Sequence, residues 1–161
     1  MERVAKKSKL SGREQECNSM SKSISQIEFL REHAKQASQK AYAPYSQFHV
    51  GAALLMRSGE VVTGCNVENA SYGLSNCAER TAVFNAVAQG YDPADIAAVA
   101  IYTATEKACA PCGACRQVLA EFLQPGTMIS STSERQLRQW SIEELLPDGF
   151  EFDIEAYRKP L

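Results

Sequence analysis

The sequence has no apolar run of the roughly 18 residues or more that a membrane-spanning helix needs, so no spanning segment is expected. It has no block of lysines or arginines either. Its 17 basic and 19 acidic residues leave a formal charge of −2, which argues against a groove for polyphosphate or nucleic acid and for a small, uncharged substrate. An apolar stretch of the secretory kind is missing near the start. The six cysteines therefore read as reduced thiols in a cytoplasmic protein, not as a disulfide framework. There are only two histidines, His33 and His49; neither has a Glu two positions later, and both read as surface or packing residues. No internal repeat is visible. What remains is 161 residues, 45% of them hydrophobic, enough for one compact α/β domain that buries roughly 68–70% of its unfolded surface.

Residues 1–23 are polar and rich in Ser, Lys and Glu, with no sustained apolar period, and read as a disordered N-terminal tail. A folded domain is expected over residues 24–161. Its first helix is signalled by Ile27, Leu30, Ala34, Ala37 and Ala41 at three- and four-residue steps, with Ser25 as the cap and Pro44 just beyond the end. The apolar run from Phe48 to Met56 is short and contains Gly51, as expected of a strand buried on both faces. After the turn Arg57-Ser-Gly-Glu60, a return strand from Val61 to Val67 leads to Asn66 and Glu68.

Cys77 to Gln89 is rich in helix formers and is stopped by Gly90. Ile96 to Tyr102 reads as a further central strand. Pro111 precedes a helix from Cys112 to Phe122, because proline suits a helix start. A strand near Thr127–Ser131 and a short helix at Ser141–Leu146 complete the order α-β-β-α-β-α-β-α. That order implies a three-layer α-β-α fold with a mixed sheet, whose ligands belong at helix N-termini beyond strand ends.

Both cysteine clusters fall at such helix starts. Cys112 and Cys115 form a C-x₂-C pair behind Pro111, and Cys77 opens the earlier helix. A helix N-terminus favours thiolate, the form that binds metal, and zinc is the natural occupant. Three protein ligands leave a fourth tetrahedral position open, as catalytic zinc requires. Read alone, the C-x₂-C pair equally describes a redox couple or half of a structural zinc knuckle. The carboxylate of Glu79, two residues after Cys77, favours the catalytic reading. Three thiolates more than neutralise a divalent cation and blunt its acidity, and Arg80 on the same helix can offset them. Cys65 reads as a small core residue and Cys109 as a packing residue close to Pro111.

Five segments then carry a family resemblance: Tyr45–Leu54, Gly64–Gly73, Cys77–Arg80, Pro111–Gln117 and Leu145–Phe150. Over about residues 42–150 the chain resembles the small homotetrameric zinc-dependent cytidine deaminases of pyrimidine salvage. The resemblance implies hydrolytic deamination of free cytidine and deoxycytidine to uridine and deoxyuridine, with zinc held by Cys77, Cys112 and Cys115. It implies Glu79 as a proton shuttle that is not itself a ligand and Arg80 as compensation for thiolate charge. It assigns Asn66 and Glu68 to the ribose 3′-hydroxyl and Phe48 to the base. It also sends Ala70, Tyr72 and Phe150 across a subunit interface, Phe150 to close over a neighbour's pyrimidine. His49 stands where the family commonly has proline, and Ala110 where it has serine. Neither departure removes a ligand. A deaminase of a modified cytosine nucleoside such as blasticidin S, an editor of cytosine in nucleic acid, and a non-enzymatic zinc or redox module are the competing readings.

Overall fold

The computed structural model describes residues 12–152, with side chains from 24 onward. Its elements are α1 (Gly12–Ser38), β1 (Val50–Met56), β2 (Val61–Cys65), α2 (Ala78–Ala88), β3 (Ile96–Thr103), α3 (Gly113–Phe122), β4 (Met128–Thr132), β5 (Leu137–Ser141) and α4 (Ile142–Leu145). The strands form one sheet in the order β2-β1-β3-β4-β5. β1 runs antiparallel to both β2 and β3, β3 and β4 are parallel, and β5 returns antiparallel to β4. The sheet is mixed, as the order of elements predicts.

Two differences from the expected elements are physical. α1 begins at Gly12, not Ser25, so residues 12–23 of the expected tail have helical backbone, while the part before Gly12 lies outside the described residues. β5 is a strand the pattern does not announce. Its residues are exposed or half-buried edge positions, and the turn before it, Ser133–Gln136, contains neither glycine nor proline. Pairing along β4, not side-chain burial, makes it a strand.

Alternation along β1 divides the core into two. Ala52, Leu54 and Met56 join Val62, Val99, Ile101 and Ile129 against α2 and α3, whereas Ala53 joins Ala100 and Tyr102 against Leu30 and Ala34 of α1. The sheet is therefore covered by helices on both faces. Two glycines let those helices approach closely. A Cβ on Gly51 would lie 1.9 Å from the Ala34 carbonyl oxygen of α1, and one on Gly64 would lie 2.3 Å from the Ala82 nitrogen of α2. α2 ends with Gly90 at φ 88°, the left-handed conformation that closes a helix.

β2–α2–β3 and β3–α3–β4 each leave the end of a strand, cross as a helix on the same face and return. Both helix starts thus meet above the carboxyl ends of β2 and β3, beside Val50 at the opposite-running start of β1. The helix α1 is tied down by a polar cluster on the other face. The Tyr102 hydroxyl donates to Glu134, which also receives Lys35 Nζ at 3.1 Å. Arg31 lies 5.5 Å from the centroid of the Tyr102 ring.

Gly51→Ala is expected to destabilise the protein by on the order of 3 kcal/mol, because backbone on a packed helix has little room to yield. A fall in the urea midpoint with unchanged m-value checks this. The second expectation concerns acid. Hydrogen bonds from Tyr102 and then Lys35 hold the Glu134 carboxyl below its usual range. Its folded pKa is thus lower than its unfolded one, so its contribution is complete above the ordinary carboxylate pKa and is lost as pH falls through the depressed value. Glu134→Gln is expected to be less stable than the parent at neutral pH, with the difference closing below about pH 4; denaturation midpoints across pH measure it.

Candidate active site

Cys77 and Cys112 are the N-cap residues of α2 and α3. Both have extended backbone, and neither side chain makes a capping hydrogen bond to a backbone amide of its helix. An N-cap oxygen would turn inward to an amide of the first turn; these sulfurs instead turn towards each other, with Cys77 Sγ 3.7 Å from Cys112 Sγ. Cys115, in the first turn of α3, is fully buried. The three sulfur atoms lie within 4.8 Å of one another, and all three residues are free thiols. Two thiolates sharing a tetrahedral zinc at about 2.3 Å stand roughly 3.8 Å apart, so the 3.7 Å pair suits that ion. A disulfide would need the sulfurs at about 2.05 Å.

The electrostatics point the same way. Hydrogen bonding from Cys115, with further bonds from Arg80 and Cys112, brings Cys77 down to about 5 despite its burial. Cys115, in bonding to that thiolate and being buried, is driven strongly upward. Arg80 NH2 reaches Cys77 Sγ at 3.5 Å. Its Nε is buried without a hydrogen-bond partner, so a guanidinium is held beside the sulfurs at some desolvation cost. Arg116 braces the start of α3 through Pro111 O at 2.8 Å and ties it to Leu145 O at 3.1 Å.

A cavity of about 450 Å³ opens beside the sulfurs, and Cys77, Glu79 and Cys112 line it together with Phe48, Asn66 and Glu68. Glu79 is only 5% exposed. Burial, followed by the Cys77 charge, raises its pKa, which makes the carboxyl a better proton acceptor than an exposed one. Asn66 and Glu68 both line the cavity, while Val67 turns outward and is absent from it. The Asn66 amide acts as a substitute peptide unit, accepting from Val50 N at 2.8 Å and donating to Phe48 O at 2.8 Å. The Glu68 carboxylate accepts from Tyr45 N at 2.9 Å, from Ser46 N at 3.2 Å and from the Ser46 hydroxyl. The Ser46 bond comes first among the causes that hold Glu68 below its ordinary value.

Three expected residues are not in this cavity. Ala70 is exposed. Tyr72, 74% exposed, sits edge-on to Tyr45 at 5.7 Å and borders a neighbouring cavity that also touches Ser46 and Glu68. Phe150 is 71% exposed and lines a separate cavity of about 410 Å³. Its backbone is gripped by Gln117, which donates to Phe150 O at 2.8 Å and accepts from Phe150 N at 3.0 Å. The lining also includes Ser46, Val50, Ile101 and Thr103, to which motif reading gives no role, and Cys109, expected to pack close to Pro111. Val50, Ile101 and Thr103 share the α2-facing side of β1 and β3, a placement visible only once those strands pair. Ala110 contributes an apolar wall. His49 is exposed, and its charge helps lower Glu68.

Three convergent thiols that suit a metal ion, beside a buried carboxyl in a cavity the size of a small ligand, are the equipment of a metal-dependent hydrolase. Residues 24–131 match the model of the cytidine and deoxycytidylate deaminase zinc-binding region, and the chain belongs to that family. The cytidine deaminase of Halalkalibacterium halodurans is 47% identical over 124 residues, covering 76% of this chain and 92% of the relative. A solved cytidine deaminase from Burkholderia pseudomallei is 54% identical, with a TM-score of 0.74 over 76% of this chain and 98% of that one. A blasticidin-S deaminase of Bacillus cereus is more distant, at 30% identity over 108 residues, or 63% of this chain and 76% of the relative. The family's zinc fits the thiol cluster in donor type, number and spacing.

Arg80→Ala is expected to weaken zinc binding by about 10- to 100-fold, as loss of a ligand-supporting partner does. Competition with a chromogenic chelator measures it, and a wild-type affinity would contradict the compensating role of Arg80.

Proposed function

We propose that this protein deaminates free cytidine and deoxycytidine by hydrolysis, giving uridine, deoxyuridine and ammonia, with Cys77, Cys112 and Cys115 as zinc ligands. The observation that carries the reading is the sharing of one cavity: the buried Glu79, the thiol residues Cys77 and Cys112, and the polar Asn66 and Glu68 all line it. When bound, zinc supplies a Lewis acid that makes water acidic enough to ionise near neutral pH.

Glu79 moves the protons. As carboxylate it takes one from the attacking water and delivers it to ring N3 while oxygen bonds to C4. It then transfers the remaining proton to the exocyclic nitrogen, which leaves as ammonia when the C4–N bond breaks. Burial suits Glu79 to both directions, since a carboxyl with a raised pKa gives up and regains its proton readily. Arg80 offsets thiolate charge. Phe48 packs on the base, and Asn66 and Glu68 hold the sugar 3′-hydroxyl, a group whose absence leaves buried polar atoms unpaired.

Tyr72, Ala70 and Phe150, which this chain keeps outside its own cavity, act in a neighbouring subunit's site within a homotetramer. Phe150 projects from the surface on a loop fixed by Gln117, a placement suited to reaching a second copy. The working location is the cytoplasm, consistent with free thiols among the described residues. No described helix is long and apolar enough to cross a membrane.

Glu79→Gln is expected to keep one zinc per chain and lose about 10²- to 10⁴-fold or more in turnover. Absorbance assay of cytidine together with metal analysis checks both halves; full activity in the variant would end the assignment. The 30% likeness to a blasticidin-S deaminase makes that nucleoside the second substrate to assay, and a preference for it over cytidine would reverse the assignment of Asn66 and Glu68.

A further inference from the structure

We propose that Ser46 is a positioning residue for substrate recognition, whose hydroxyl joins the Glu68 carboxylate and the Phe48 backbone into one unit and so sets the sugar side and the base side of the cavity together. The proposal rests on the reading of Glu68 as the sugar contact and extends it to a residue that touches both halves of the pocket.

The hydroxyl of Ser46 is used twice. It donates to Glu68 Oε1 and accepts the Phe48 N–H at 3.0 Å. The other carboxylate oxygen, Oε2, takes the backbone N–H groups of Tyr45 at 2.9 Å and Ser46 at 3.2 Å. Residues 45, 46 and 48 therefore all depend on one carboxylate, residue 48 through Ser46 alone. Gln47, between them, has φ 56°, the positive value among the described non-glycine residues. A side chain-bearing residue holds that conformation only where its surroundings over-determine it. Here the surroundings are the Gln47 N–H bond to Ala43 O at 3.0 Å and the hydroxyl bridge on either side.

The bridge fixes what matters for binding. With Oε1 held by Ser46, the carboxylate of Glu68 cannot rotate freely, although the loop around it is open to solvent. The carbonyl of Phe48 is held from the opposite side by Asn66 Nδ2 at 2.8 Å. Phe48 thus has its N–H set by Ser46 and its C=O set by Asn66, which aims a 41% exposed ring at the cavity. Removing the hydroxyl frees Oε1 and leaves the Phe48 N–H to water. A sugar hydroxyl binding at Glu68 would then meet a carboxylate held only through Oε2, and the loss should fall on substrates that carry that hydroxyl.

The test compares deoxycytidine with 2′,3′-dideoxycytidine, which differ only in the 3′-hydroxyl, as substrates of the intact wild-type enzyme and of Ser46→Ala, Ser46→Thr and Glu68→Ala. The ratio of kcat/KM for the two substrates is the readout, because damage to the fold or the metal site lowers both values alike. Ser46→Ala is expected to shrink the ratio by about tenfold, in keeping with a lost hydrogen bond to a charged group, chiefly through KM. Ser46→Thr, which keeps the hydroxyl, should restore the ratio, and Glu68→Ala should abolish it. A ratio lost in Glu68→Ala but intact in Ser46→Ala, or the same ratio in the alanine and threonine variants, would overturn the role of Ser46 alone. A ratio unchanged in Glu68→Ala would overturn the sugar contact itself, and this proposal with it.

Discussion

Three sulfur atoms within 4.8 Å of one another form a concentration of potential negative charge that a protein interior does not tolerate without compensation. The compensation is built from the helices that carry them. Cys77 and Cys112 stand at the N-caps of α2 and α3, where two sets of unpaired amide groups converge. Arg80, three residues into the first helix, adds a guanidinium at 3.5 Å. The convergence depends on how closely α2 lies on the sheet. Gly64 removes the side chain that would hold Ala82 away, and Gly51 does the same for α1 on the other face. Close helix packing and metal chemistry are therefore one constraint.

The polar groups of the cavity divide between holding the loops and meeting a ligand. Asn66 gives its amide oxygen and one of its N–H bonds to the backbone of Val50 and Phe48. Glu68 is engaged at both oxygens by the turn at residues 45–46. Side chains so held present a ligand with groups already oriented, which lowers the ordering that binding must supply. Glu79 is the contrast. It is buried, with its pKa raised by that burial, and its placement suits exchange of protons more than support of a loop.

Much of the site was legible in the chain because its signals are local. Pro111 before Cys112 and Gly90 after Gln89 mark helix ends by steric rules, and they put Cys77, Cys112 and Cys115 at helix starts without knowledge of the fold. Asn66 and Glu68, two residues apart in extended chain, both line the cavity. Other features left no such signal. β5 is a strand because β4 offers it a partner, and its exposed residues carry no apolar alternation. The extension of α1 back to Gly12 has no apolar period to announce it. Ser46 lies inside a recognised segment, but its hydroxyl matters only because residues 45–48 fold back onto Glu68.

By itself the sequence determined which groups are on offer: thiols at the starts of two helices and a carboxyl two residues beyond one of them, since residue type and helix-end rules act over a few neighbours. The tertiary structure alone decided distance. Sheet pairing brought Val50, Ile101 and Thr103 to one wall and carried Cys77 to within 3.7 Å of Cys112 across 35 residues of chain. It also left Tyr72 and Phe150 outside the lining of this chain's own cavity. Such separations are set by packing between elements remote in sequence, which no local pattern of residues encodes.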